Sequence, residues 1–213
     1  MKFDYSFVDV DYTIFDTGKF EDEIWAAFSS WGVSRKDYDE TYKQSLCTVS
    51  REEFDYNFQE HVDFLRERGY KLGQDVVEEL NKLMDDDHLF PDSVDFIKFL
   101  KENSTKVILL TAGDLKFQEE KIKHSGIWPM FDEVMILNGH KDDYLQSFID
   151  KGCKILFVND SWRENTALRK RFPDLFIIGT DGPHGRRDND AEKVKLIYLP
   201  TLTDIKNYVA GLK

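Results

Sequence analysis

Two carboxylates one residue apart, Asp9 and Asp11, end a short apolar run and are followed by Thr13 and the apolar pair Ile14 and Phe15. An apolar run that leads from the first residues into Asp-x-Asp reads as a buried strand whose C-terminal end projects acids into a crevice. That is where open parallel sheets bind ligands. Two carboxylates crowded there repel each other unless a cation lies between them, and hard divalent ions take oxygen ligands of this kind. Taken alone, the pair reads equally well as solvated acids at a strand end. Two further strand ends and one helix start add to it. Lys-Val-Ile-Leu-Leu (106–110) runs into Thr111, Ala112, Gly113 and Asp114, then a helix-like stretch. A hydroxyl with free backbone amides at a helix N-terminus suits a phosphate. Lys-Ile-Leu-Phe-Val (154–158) ends in Asn159-Asp160-Ser161, with Glu164 one helical turn further on, and between these runs Lys141 precedes a helix. Each item is ambiguous by itself. Together they make a set of acids, a hydroxyl and an ammonium that complements a divalent cation and a small phosphate.

The elements that must position these groups are legible from periodicity. Residues 17 to 88 carry helix-like spacing with almost no strand signal: Ile24, Phe28 and Trp31; Phe54, Phe58, His61 and Leu65; Val76, Leu80 and Leu83. Gly32, Gly69 and Gly73 punctuate the stretch, and Ser50 followed by Glu52 and Glu53 reads as a capped helix start. Three or four helices are expected there, with the aromatics as their core. From Leu89 onward strands and helices alternate: a helix from Pro91 and Asp92 through Leu100, a strand at 106–110, a helix at 115–124, a strand at 133–137, a helix at 142–151, a strand at 154–158, a helix at 164–171, strands at 175–178 and 194–199, and a closing helix at 202–212. Buried apolar strands alternating with helices predict an α/β fold, a Rossmann-like doubly wound parallel sheet with an inserted α-helical segment. The domain division is then 1–16 with 89–213 as the catalytic core and 17–88 as a helical insertion.

Composition narrows the function. At 213 residues the chain can bury one full core and one modest insertion. Lys and Arg number 29 against 41 Asp and Glu, a net charge of −12, which argues against a nucleic-acid surface but not against a small anionic substrate held locally. No apolar run approaches the roughly 20 residues of a membrane span, and the first residues do not resemble a signal peptide. Cys47 and Cys153 are far apart without paired-ligand spacing, so a reduced, cytoplasmic setting is expected, with Cys153 as core.

Phe-Val-Asp-Val-Asp-Tyr-Thr-Ile-Phe, Leu-Leu-Thr-Ala-Gly-Asp, Lys141 and Phe-Val-Asn-Asp-Ser, in that order, resemble the four motifs of the haloacid dehalogenase superfamily. The helical segment after the first motif resembles that superfamily's cap, and the resemblance covers essentially the whole chain. Lys151 and Lys154 are rivals for the lysine. The resemblance implies that Asp9 is the nucleophile and forms an aspartyl-phosphate, and that Asp11 is the general acid and then the base. Thr111 and Lys141 would hold the transferring phosphoryl group, with Val10, Asp11, Ala112 and Gly113 completing the phosphate site. A Mg²⁺ ion would be bound by Asp9, the Asp11 carbonyl, Asp160 and Glu164, with Asn165 as the rival outer ligand.

Tyr12 stands where the family commonly has Gly, and Asn159 where a Gly usually precedes the metal Asp. Dehalogenases of the superfamily lack an Asp at the place matching Asp11, so the resemblance implies phosphate-ester chemistry. A small phosphorylated metabolite is the expected substrate, with neither nucleic acid nor membrane as partner and a monomer or homodimer as the assembly. A sugar-phosphate mutase shares these residues, and a receiver-like or catalytically silent binding module is the reading from another class. Met84 to His88 reads as a solvated hinge rather than a metal cluster, residues 183–187 as a basic surface loop, and Lys43, Arg51, Arg66 and Arg68 as largely solvent-facing charges with some claim to substrate contact.

Overall fold

The computed structural model describes residues 2–46, 56–181 and 195–212. The expected helix start at Ser50, together with Phe54, Cys47, Arg51 and the 183–187 loop, lies outside the described residues. Six strands form one sheet: β1 (Phe3–Val8), β2 (Ser104–Ala112), β3 (Glu133–Leu137), β4 (Ile155–Asn159), β5 (Phe176–Thr180) and β6 (Ile197–Leu199). Their order is β3-β2-β1-β4-β5-β6, and every pair is parallel. The order reverses at β1, so the crevice over the C-terminal ends of β1, β2 and β4 is the switch point at which such sheets bind ligands.

A parallel sheet must be covered on both faces, and alternation along the strands supplies both. Phe7, Ile108, Leu110, Phe157 and Ile177 belong to one core cluster and Val8, Leu109, Leu156, Val158 and Ile178 to the other. Each such side chain contributes about 1.5–3 kcal/mol on burial. β2 reaches beyond the apolar run at 106–110 because its polar ends are paired, Ser104 opposite Phe3 and Ala112 opposite Leu137. The ladder sets its length, not hydrophobicity. Cys153 precedes β4, is half-buried and packs against the first of these clusters.

Nine helices are described: α1 (Thr17–Ser30), α2 (Arg35–Ser45), α3 (Phe58–Glu67), α4 (Val76–Lys82), α5 (Ser93–Asn103), α6 (Leu115–His124), α7 (Lys141–Ile149), α8 (Trp162–Arg171) and α9 (Leu202–Ala210). Short polar side chains start several of them by accepting an otherwise orphaned backbone N–H: Ser34 from Asp37, Asn57 from Glu60, Thr201 from Asp204. Helices α1 to α4 all come from the stretch between β1 and α5. The chain leaves for them and returns side by side, since the Asp16 N–H donates to the His88 carbonyl at 2.6 Å and the Phe90 N–H to the Ile14 carbonyl at 3.2 Å.

Two histidines of this layer are structural. His88, expected on a solvated hinge, is buried at 1% exposure although Asp85, Asp86 and Asp87 beside it are exposed. Its ring packs on Phe15 and Phe20, and its Nε2 meets Glu23 Oε2 at 2.6 Å. Packing, invisible in a run of charges, overrides the local polarity. His61, on the apolar stripe of α3, lies between the Tyr56 hydroxyl (2.9 Å) and the Thr41 hydroxyl (3.0 Å). Burial pushes its pKa down to about 4. The folded protein therefore binds this proton later than the unfolded chain, so stability is fully present above about pH 6.5 and falls as pH drops toward 4, by about 3 kcal/mol from this group. Melting temperatures of wild type and His61→Phe between those pH values check this: the wild-type profile should slope more steeply. Parallel profiles would contradict it.

Candidate active site

The loop after β1 is wound around one carbonyl. Val10 is fully buried, and its oxygen accepts from the N–H groups of Thr13, Ile14 and Phe15 at 3.2, 3.1 and 3.0 Å. The winding forces Tyr12 into the left-handed region at φ 54, which costs a non-glycine residue about 1–2 kcal/mol. That is the physical reason a glycine is favoured at this position. The turn presents Asp9 and Asp11 at the strand end. The buried Thr13 hydroxyl reaches across to accept the Asp160 N–H at 3.0 Å, locking the end of β4 to the end of β1.

Asp9 is 6% exposed and Lys141 4%. The Lys141 ammonium lies 2.9 Å from Asp9 Oδ1 and 2.9 Å from Glu164 Oε2. Lys141 is the first residue of α7, where the helix dipole disfavours a cation. The ammonium is kept there by the acids it meets. Lys151 and Lys154, its sequence rivals, are exposed and lie over Phe148 and Phe3. Burial pushes the Asp9 carboxyl up to about 6, against the pull of Lys141. Burial also opposes the Lys141 charge, but Asp9 and Glu164 outweigh it and hold the ammonium above its usual range.

Asp11 has a different environment, and sequence reasoning missed it. Lys121, 3% exposed on α6, donates to both Asp11 oxygens at 2.7 and 2.8 Å. Gln118 adds a third donor at 3.1 Å and the Thr17 hydroxyl a fourth at 2.6 Å. Burial works against ionisation here too, but Lys121, Thr17 and Gln118 together hold the carboxyl below its usual range. The available signal was the face of α6: Phe117 and Lys121 are four residues apart, on the side of the helix that also carries buried Gln118.

Thr111 is buried at the end of β2 and, with Ala112 and Gly113, lines the same cavity as Asp9 and Lys141. The expectation of a free Gly113 amide is corrected: that N–H donates to the Leu137 carbonyl at 3.1 Å. Gly113, at φ 138, serves the turn instead. Asp160 has no ion pair among the described residues. Burial first, then the charge of Asp9, pushes its carboxyl up to about 8. Glu164 Oε2 is committed to Lys141 and to the Asn159 amide, the latter at 2.7 Å. Asn165 is fully buried and spends its amide on the Asn159 carbonyl and the Tyr198 hydroxyl. Its Oδ1, the atom a cation would take, accepts from the Asn159 amide at 3.1 Å.

Among the described residues no three carboxylate, imidazole or thiolate side chains converge into a metal cage. What the site offers is an excess of acid. Among the described residues, the ion pairs of Asp9, Asp11 and Glu164 are with Lys121 and Lys141 alone, and burial first, then neighbouring acids, raise the Asp9 and Asp160 carboxyls. A hard divalent ion that takes two carboxylates, a main-chain carbonyl and waters fits such a donor set.

The cavity over the site has a volume of about 780 Å³. Phe20, Glu21, Ile24, Tyr42, Leu46 and Tyr56 line it from the helical layer, and Phe117 from α6. Lys43 is exposed, Arg66 pairs with Asp63, and Arg68 pairs with Asp37 and Glu40; none of the three lines the cavity. No helix among the described residues is long and apolar enough to cross a membrane.

A family model described as haloacid dehalogenase-like hydrolase matches residues 6–161. No curated protein matches the chain. Among solved structures, the chain is similar to a Burkholderia xenovorans protein assigned as a haloacid dehalogenase-like hydrolase, at 19% identity and TM-score 0.72, covering 98% of this chain and 97% of that one. It is similar to a Thermotoga maritima protein assigned as a β-phosphoglucomutase, at 15% identity and TM-score 0.67, over 100% of both chains. A Bacillus subtilis protein assigned as a HAD-hydrolase and bound to magnesium shares 16% identity at TM-score 0.64, covering 98% of this chain and 99% of that one.

Proposed function

The chain belongs to the haloacid dehalogenase-like hydrolases, and from that premise we propose that it is a Mg²⁺-dependent phosphatase that hydrolyses a small phosphorylated metabolite through an aspartyl-phosphate on Asp9. The observation that carries this reading is the separate buried environment of each acid at the β1 end: Asp9 beside Lys141 at 2.9 Å, Asp11 clamped by Lys121. Two carboxylates two residues apart with different partners can hold different roles.

In this reading an Asp9 oxygen attacks phosphorus and the bond from phosphorus to the ester oxygen breaks. Lys141 and the Thr111 hydroxyl hold the phosphoryl oxygens in line, and positioned charge is what such a transfer chiefly needs. Asp11 protonates the departing alkoxide and then takes a proton from the water that attacks the phosphoryl group, freeing Asp9 and inorganic phosphate. To serve as the acid, Asp11 must first exchange Lys121 for a proton. Asp9, Asp160 and the Asp11 carbonyl would hold Mg²⁺, which when bound offsets the crowded acids and draws charge from the phosphate oxygens. Residues 17–88 act as a cap that roofs the cavity and selects the alcohol half of the substrate. The largely apolar roof offers few partners to the hydroxyls of a sugar, which favours hydrolysis of another ester over a sugar-phosphate mutase.

Assay with p-nitrophenyl phosphate tests the reading. Turnover should require added Mg²⁺, stop in EDTA and return on re-addition, with Ca²⁺ a poor substitute because its larger, more variable shell misplaces Asp9. Full activity in EDTA would remove the metal from the account, and no turnover on any phosphate monoester would remove the phosphatase.

A further inference from the structure

The wall of the cavity that comes from the helical layer combines rings with one carboxylate. Glu21, half-buried on α1, accepts the Tyr42 hydroxyl at 2.8 Å and also bonds the Tyr12 hydroxyl. Among the described residues it has no basic partner, whereas Asp9 and Asp11, which also line this cavity, each face a lysine. Burial and the Glu21 charge hold the Tyr42 hydroxyl protonated, so it remains a donor to Glu21. The rings are held against one another: Tyr42 and Tyr56 at 5.1 Å between centroids, Tyr56 and Phe117 at 5.4 Å, Phe20 and Phe117 at 6.4 Å.

Resting on the phosphatase reading, we propose that the substrate is a phosphate monoester whose alcohol half carries a cationic nitrogen, seated in the cavity against the wall formed by the Tyr42, Tyr56 and Phe117 rings and the Glu21 carboxylate. Aromatic faces attract a cation through their negative quadrupole, most strongly where water is excluded. An apolar leaving group would satisfy the rings but leave the Glu21 charge without a counter-ion among the described residues. A polyol would neutralise no charge and would leave hydroxyls unpaired against Phe20, Ile24 and Phe117. A zwitterionic ester satisfies both charges of the cavity, phosphate at Lys141 and ammonium at Glu21.

The test compares phosphocholine with 3,3-dimethylbutyl phosphate, its uncharged carbon isostere, in wild type and Glu21→Gln, with p-nitrophenyl phosphate as the control for phosphatase chemistry. The wild-type kcat/KM should favour phosphocholine by about tenfold or more, and the preference should fall toward unity in Glu21→Gln. Phosphoethanolamine extends the series to a primary ammonium and should also exceed the isostere. Equal turnover of the charged and uncharged esters, with p-nitrophenyl phosphate still hydrolysed, overturns the cation site and leaves the phosphatase standing. Inactivity on all of these esters overturns both. A preference that survives in folded Glu21→Gln removes Glu21 from it. The wild-type ratio decides the claim even where the variant does not fold.

Discussion

Asp9→Asn should abolish phosphatase turnover, by at least about 10⁴-fold, while the fold is retained. The change removes the attacking oxygen's charge and keeps the shape of a side chain that is 6% exposed. The site makes the fold prediction specific. Burial and neighbouring acids push the Asp9 carboxyl up to about 6, so ionising it costs the metal-free folded protein more than it costs the unfolded chain. Because the folded state holds this proton more tightly than the unfolded chain, stability from this group is present below pH 3.8 and is lost as pH rises through about 6. At pH 7 in EDTA, Asp9→Asn should therefore melt at or above the wild type. Substantial turnover by the variant, measured with protein free of wild-type carry-over, would sink the covalent route. A variant that melts far lower would show that Asp9 is needed by the fold.

Asp11→Asn should lose about 10²–10⁴-fold on an alkyl phosphate, the usual worth of a positioned general acid. On p-nitrophenyl phosphate the first step needs little protonation, so the loss there should fall on the second step, in which water must be activated. The structure adds a constraint. Lys121 makes two bonds to Asp11, and an amide in its place leaves a buried ammonium without its counter-ion. Asp11→Asn should accordingly be less stable than wild type, while Asp11→Asn with Lys121→Met should recover stability without recovering rate. Equal losses on good and poor leaving groups in the formation of the intermediate would take the acid role away from Asp11.

The sheet was largely legible in the sequence because each central strand is an apolar run that ends in polar residues with chemistry to do. β1, β2 and β4 read directly from Phe7-Val8, Val107 to Leu110 and Ile155 to Val158. The placement of Asp9, Thr111, Lys141 and Asp160 at strand or helix ends was legible for the same reason, since it is a local property. The partners of Asp11 were not found, because they come from elsewhere. Lys121 lies 110 residues away on a helix whose sequence, Leu-Lys-Phe-Gln-Glu-Glu-Lys-Ile-Lys-His, reads as a solvated face. Only the four-residue spacing to Phe117 separates Lys121 from Lys123, which pairs at the surface with Glu119. His88 failed in the same way, since only the rings of Phe15 and Phe20 decide that it is buried. The Gly113 amide looked free because the strand that takes it, β3, is set by register and not by the motif.

The most direct measurement is a rapid acid quench of Asp11→Asn mixed with p-nitrophenyl phosphate and Mg²⁺, followed by mass spectrometry of the peptide that contains Asp9. With a good leaving group and no base for the second step, the variant should release one equivalent of p-nitrophenol per enzyme in a burst. The quenched peptide should gain the mass of one phosphoryl group on Asp9 and lose it in hydroxylamine. A phosphoryl group on another residue, or release of p-nitrophenol with neither burst nor labelled peptide at any quench time, would contradict Asp9 as the nucleophile.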